Sequence, residues 1–326
     1  MTTANIVKNR RESWIVKDFN ILKNVFAKTV HLDVTNGNAS NKGTGPRDAV
    51  LTIKQALALS AVWDSLLFAP GTYPVDVGDA SVKPLAFQQW QSALPTIPGG
   101  MPSVIIVADA DDNVATPVAV DVDGVIFDGI EFKLVAGGTN ALYCIEAAQT
   151  TAVRGLTFIN CLINLNGVDA LVIGMKFDDA SNAITGLAMR GCRLGGATAT
   201  ASVPSLMSIG VEGIPGCDIQ DNVFENDDAD GAGNALLFAD PGAAAKSYGM
   251  KIANNDFIGP SDGGGAGVPI TFNSSMTEDE IVGIIRTNYF SNVTTVPITI
   301  DKINNSVIRN YGGDDATGGT LVDPGT

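Results

Sequence analysis

The sequence predicts an all-β solenoid, a parallel β-helix, and three observations carry that reading. The first is a repeat. Gly216–Phe224 (Gly-Cys-Asp-Ile-Gln-Asp-Asn-Val-Phe) returns as Gly249–Phe257 and Val282–Phe290, and earlier as Gly155–Ile163 and Gly186–Leu194. Gly129–Leu134 reads as a shorter opening copy and Asn304–Asn310 as a closing one. Successive starts lie 22 to 33 residues apart, the spacing of one solenoid coil. The second is periodicity. Second and fourth residues of the copies are mostly apolar, as in Leu156/Phe158, Leu187/Met189 and Cys217/Ile219, which marks a strand with one buried face rather than a helix. The third is a column: the seventh position holds Cys161, Cys192, Asn222, Asn255, Asn288 and Asn310. Asparagine at one place in successive coils predicts a ladder (Asn222, Asn255, Asn288, Asn310) at a tight bend, with Asn itself in the left-handed backbone region.

Composition supports a large core. Of 326 residues, 45% are hydrophobic and 17% charged. No apolar run approaches the ~18 residues of a membrane helix, so no membrane partner is expected. The first eleven residues lack an apolar block after Lys8, Arg10 and Arg11 and do not read as a secretory signal, so assembly in a cytoplasm is expected. The four cysteines, Cys144, Cys161, Cys192 and Cys217, form no close pair, and buried free thiols are expected rather than a zinc site.

Charge is unevenly placed. Residues 1–30 carry Lys8, Arg10, Arg11, Lys17, Lys23 and Lys28 against Glu12 and Asp18, a net +4, so the rest carries −19 of the total of −15. A basic arm before an acidic body suggests a docking segment for a negatively charged partner. Nucleic acid is a poor fit, because no basic patch follows on the body.

Taken in order, residues 1–30 form the basic arm, with Trp14, Phe19, Leu22, Val25 and Phe26 at helical spacing. Residues 31–117 hold a first strand from His31, a Gly/Asn/Ser loop over 36–46, and a helix from an Asp48 N-cap to about Ser60. A buried strand, Ser65–Tyr73, then runs through Pro70-Gly71, and the stretch 74–117 reads as an insertion that rejoins at Ser103–Val107. Residues 118–311 are the stack, with a second apolar register between the Gly-led copies, as in Ala141–Ile145, Ala170–Ile173 and Leu206–Ile209. Seven or eight coils are expected. Residues 312–326 are a tail.

The run Thr52–Leu57 followed by Leu66–Tyr73, a strand ending in Pro-Gly-Thr-Tyr, resembles the opening of pectate-lyase-like right-handed parallel β-helix proteins. The resemblance implies a right-handed coil, a third short strand per coil, and a short N-terminal helix covering the first coil. That fold serves enzymes, adhesins and phage spikes alike, so it does not choose a function.

Chemistry is sparse. His31 is the sole histidine and has no nucleophile motif beside it. Glycosidase chemistry needs two carboxyls about 5–9.5 Å apart, for which the candidates are Glu131 with Asp128, and Asp218 with Asp221 and Glu225. Asn226, Asp228 and Asp230 space their oxygens like part of a calcium loop, but Leu237 stands where the bidentate acid belongs. No cofactor is expected. The leading expectation is a non-enzymatic bacteriophage virion protein, a head decoration or fibre that docks on other virion proteins through its basic arm; the resemblance adds a homotrimer. The alternative is a tailspike that binds or cleaves host surface polysaccharide.

Overall fold

The computed structural model describes residues 28–75, 82–94, 100–108, 118–133, 143–148, 150–165, 173–177, 184–195, 205–210, 214–225, 234–238, 247–259, 270–272, 281–291, 298–299, 306–308, 310–313 and 320–322. Their strands build three long sheets. The first stacks ten strands from Thr29–Leu32 to Ser306–Ile308, all parallel. The second stacks nine parallel strands from Gly71–Val75 to Asn310–Gly313, and an antiparallel tenth, Thr320–Val322, lies on the last of them. The third has seven, from Val118–Val120 to Ile298–Thr299. This is the parallel β-helix. Ten levels at about 4.8 Å make a stack of roughly 43 Å, longer than seven or eight coils give.

Every strand puts one face inside. Along the first sheet the inward row runs through Leu66, Trp90, Phe127, Phe158, Met189 and Ile219, all fully buried. Along the second, Phe224, Phe257 and Phe290 stack face to face at 4.9 and 5.0 Å. Like side chains pile on like because parallel in-register strands place equivalent positions directly above one another.

The register revises several sequence assignments. Gly124, not Gly129, opens the first Gly-led copy, since Phe127 pairs with Phe158 and Gly124 lies under Gly155. The stretch 74–117 contributes levels of its own. Gln89–Ser92 is a strand of the first sheet with Trp90 wholly inside, and Val104–Ala108 one of the second. In the third sheet the strand is Ile173–Phe177, later than the Ala170–Ile173 expected.

The bend between the first and second sheets also differs in detail. Positive φ belongs to the sixth position: Gly129, Asn160, Gly191, Asp221, Asn254 and Thr287 have φ of 51° to 68°. The ladder residue follows it. That leaves the ladder backbone free to point its N–H inward, where the next Asn accepts it.

The start of the stack is closed by the chain itself. Thr29–Leu32 would leave an open edge, but His31 N–H donates to the Gly43 carbonyl, Asp33 N–H to Val50, and Val50 N–H back to His31, each at 2.9 Å. A helix, α1 (Ile53–Leu59), follows and buries Ile53 and Ala56 against the first strand. Its N-cap is Thr52, not Asp48. Thr52 and Gln55 form a capping box, with the Gln55 amide oxygen accepting from Thr52 N–H at 3.1 Å. Asp48 instead ends a 3₁₀ turn that Pro46 opens, and accepts from the Thr44 hydroxyl at 2.7 Å.

Candidate functional site

The acids singled out in the sequence are divided between the first and second sheets, and Asp218, Glu225 and Glu131 are engaged. Asp218 lies on the outer row of the first sheet, where it pairs with Arg190 from the level before and lies 3.9 Å from Lys251 Nζ of the level after. Gln220 donates to its other oxygen. Asp221 is the exposed left-handed residue of the bend. Glu225 ends a strand of the second sheet and receives Arg193 Nε at 3.0 Å. Asp218 and Glu225 lie on different sheets, because the bend at Asp221 sends the chain from one sheet to the next.

Glu131 belongs to the second sheet, paired with Leu162, and is 3% exposed. Asn164 Nδ2 donates to it at 2.7 Å. Asp128 ends the preceding strand of the first sheet, on the other side of Gly129, and burial pushes its carboxyl up from the ordinary value. His31 is half-buried on the first strand, and burial lowers its imidazole.

The thiols and the ladder are structural. All four cysteines are buried, and none is in a disulfide. Burial pushes the Cys217 thiol up to about 12 and the Cys161 thiol well up, so neither is a nucleophile at neutral pH. In the ladder, Asn222 Oδ1 accepts from Cys192 N–H at 2.9 Å, Asn255 Oδ1 from Asn222 N–H at 3.0 Å, and Asn288 Oδ1 from Asn255 N–H at 3.0 Å. Each amide Nδ2 donates to a backbone carbonyl of an earlier level, to Met189, Ile219 and Ile252 in turn. Asn310 falls in register with Asn288, and its side chain lies outside the described residues.

So do the calcium-like triad Asn226, Asp228 and Asp230, and the arm cations Lys8, Arg10, Arg11, Lys17 and Lys23. Lys28 is described: it is exposed, and its Nζ donates to the Leu59 carbonyl at the end of α1 at 3.2 Å. Among the described residues no cluster of metal-binding side chains occurs, and no helix is long and apolar enough to cross a membrane.

One surface was not anticipated. At the start of the first-sheet strands, Gly124, Gly155, Gly186, Gly216 and Gly249 take φ of 66° to 71°, and in the two earlier levels the same place is held by Trp63 at 73° and Phe87 at 56°. Bulky residues there cost about 1–3 kcal/mol each. Their rings stack at 4.1 Å and 5°, and the Phe87 ring fills the space where Gly124 has no side chain. Trp63 stays 41% exposed beside Leu59 (39%) and Val62 (47%). Aligning Trp63-Asp-Ser-Leu66 with Gly155-Leu-Thr-Phe158 would have revealed the substitution. At the N-terminal end of α1, an apolar pocket of about 190 Å³ is lined by Val34, Leu51, Thr52, Ile53, Tyr73 and Pro74.

No protein-family model and no curated protein matches the chain. Solved structures similar to it include the pectin methylesterase of Aspergillus niger, at 13% identity over 92% of this chain and 90% of that one, with a TM-score of 0.47. The pectate lyase Pel9A shares 12% over 90% of this chain and 82% of its own, at 0.39. The Dettilon tailspike protein shares 13% over 86% of this chain and 54% of its own, at 0.35. None of these likenesses assigns this chain an activity.

Proposed function

We propose that the chain is a non-enzymatic structural protein of a bacteriophage particle, a head decoration or fibre docked through its basic N-terminal arm and assembled in the host cytoplasm. The observation that carries the reading is the polarity of the stack. The cationic arm joins the body at the first strand, Thr29–Leu32, and the levels then run away from it to the antiparallel closing strand Thr320–Val322. A body built this way holds its far end at a fixed distance from whatever the arm grips. The outer-row acids support it: Asp218, Glu225 and Glu146 are tied to cations of neighbouring levels, a use that stiffens the stack. A homotrimer belongs to the same reading, and light scattering should give three times the chain mass of 33.7 kDa.

The test is particle assembly with the full chain or a chain lacking residues 1–26, a cut that spares Lys28 and the first strand. Loss of incorporation from a still-folded body is expected. Equal incorporation would overturn docking through the arm. Release of new reducing ends from host polysaccharide by the full chain, abolished by Asp218→Asn or Glu131→Gln, would overturn the non-enzymatic part in favour of a polysaccharide-cleaving tailspike.

A further inference from the structure

We propose that the apolar side chains of the N-terminal arm seat on the Leu59–Val62–Trp63 patch of the same chain, leaving the arm's lysines and arginines turned outward to the docking partner. This rests on the reading of the arm as the docking element. Exposed apolar side chains gathered in one place mark interaction surfaces, and one of these three, Trp63, is held in a backbone conformation that glycine takes at five later levels. A costly conformation kept at a surface points to a use for the side chain.

The occupant follows from where the chain leaves the patch. Lys28 Nζ is bonded to the Leu59 carbonyl, so the arm departs beside Leu59. Thr29 pairs with Ser65, two residues after Trp63, so the chain before Thr29 leads toward the level of Trp63. Twenty-seven residues precede Lys28, ample length to cross a patch of three side chains at even about 1.5 Å per residue. Their Trp14, Phe19, Leu22, Val25 and Phe26 recur at helical spacing, the pattern by which an amphipathic segment lays one side on an apolar surface. The patch offers few free polar groups for a sugar: Ser60 binds Gln88 and the Leu57 carbonyl, and Asp64 binds Ala61 N–H.

Trypsin reads the seating without any particle. In the full chain, cleavage after Lys17 and Lys23, followed by mass spectrometry, should be at least tenfold slower than in a Leu59→Ser/Val62→Ser/Trp63→Gly variant. The Trp63→Gly change relieves a left-handed tryptophan, so Trp63→Gly alone should keep the thermal midpoint at or above that of the parent and serves as the folding control. Equal cleavage rates in parent and variant would overturn the seating. So would protection that rises with protein concentration, which would place the arm on a second copy. The two proposals part cleanly. Variant chains that lose protection yet enter particles normally leave arm docking intact, whereas full protection with arm-independent incorporation removes arm docking alone.

Discussion

At the scale of single residues, buried polar groups can serve two levels at once. Asn255 is fully buried; its Oδ1 accepts from both N–H and Nδ2 of Asn222, and its Nδ2 donates to Ile219 and to Asn288. Asn255→Ala strands several buried donors and acceptors, each worth about 1–3 kcal/mol when left unmade. A loss of about 3 kcal/mol in urea unfolding is expected, and a loss below about 1 kcal/mol would show that the ladder is dispensable. The thiols give the fold a basic limit. The Cys217 thiol keeps its proton to about 12 when folded, against an ordinary value of 9.0. Between those values the unfolded chain has released the proton and the folded chain has not. Stability is therefore whole below pH 9 and falls as pH rises toward 12, by up to about 1.4 kcal/mol per unit for one thiol. Urea midpoints at pH 8 and pH 10 measure it, and Cys217→Ala should flatten the slope. An unchanged slope would assign the effect elsewhere.

At the scale of elements, the bends decide what substitutions cost. A Cβ at Gly186, with φ of 70°, would meet nothing closer than 3.9 Å, so Gly186→Ala pays for backbone conformation alone, about 1–2 kcal/mol. At Gly195 the added carbon would collide with the Glu225 carbonyl of the next level. Gly195→Ala should cost clearly more, with thermal unfolding of the two variants as the comparison and equal losses as the contrary result. The same bends explain what could be read from the chain. Gly-led copies and period-two alternation disclosed the stack because one residue type marks one conformation from Gly155 to Gly249. Where Trp63 and Phe87 replace that glycine the marker vanishes, and the level holding Trp90 passed for an insertion. The left-handed sixth position stayed hidden because Gly, Asn, Asp and Thr all occupy it. The acids were visible as residues, but their pairing with Arg190, Arg193 and Asn164 needed the register, which no single strand contains.

At the scale of the whole molecule, a parallel stack has two ends, and each must be managed or it will pair with another chain. The first is covered from within by residues 43–50 and α1. The second sheet finishes differently: Thr320–Val322 runs antiparallel against Asn310–Gly313, with Asn310 opposite Val322 and Gly312 opposite Thr320. A reversed strand cannot continue a parallel register, so it ends that sheet as a template for further levels. Removing residues 314–326 takes that strand away and leaves Asn310–Gly313 as an edge. The truncated chain should keep its β-rich circular dichroism, since neighbouring levels hold one another and the loss is local. Its mass by light scattering should nevertheless grow with concentration relative to the full chain, as exposed ends find one another. A truncated chain that matches the full one in mass at every concentration would mean the last parallel strand is protected by its own short length and its glycines, and that the reversed strand is no guard.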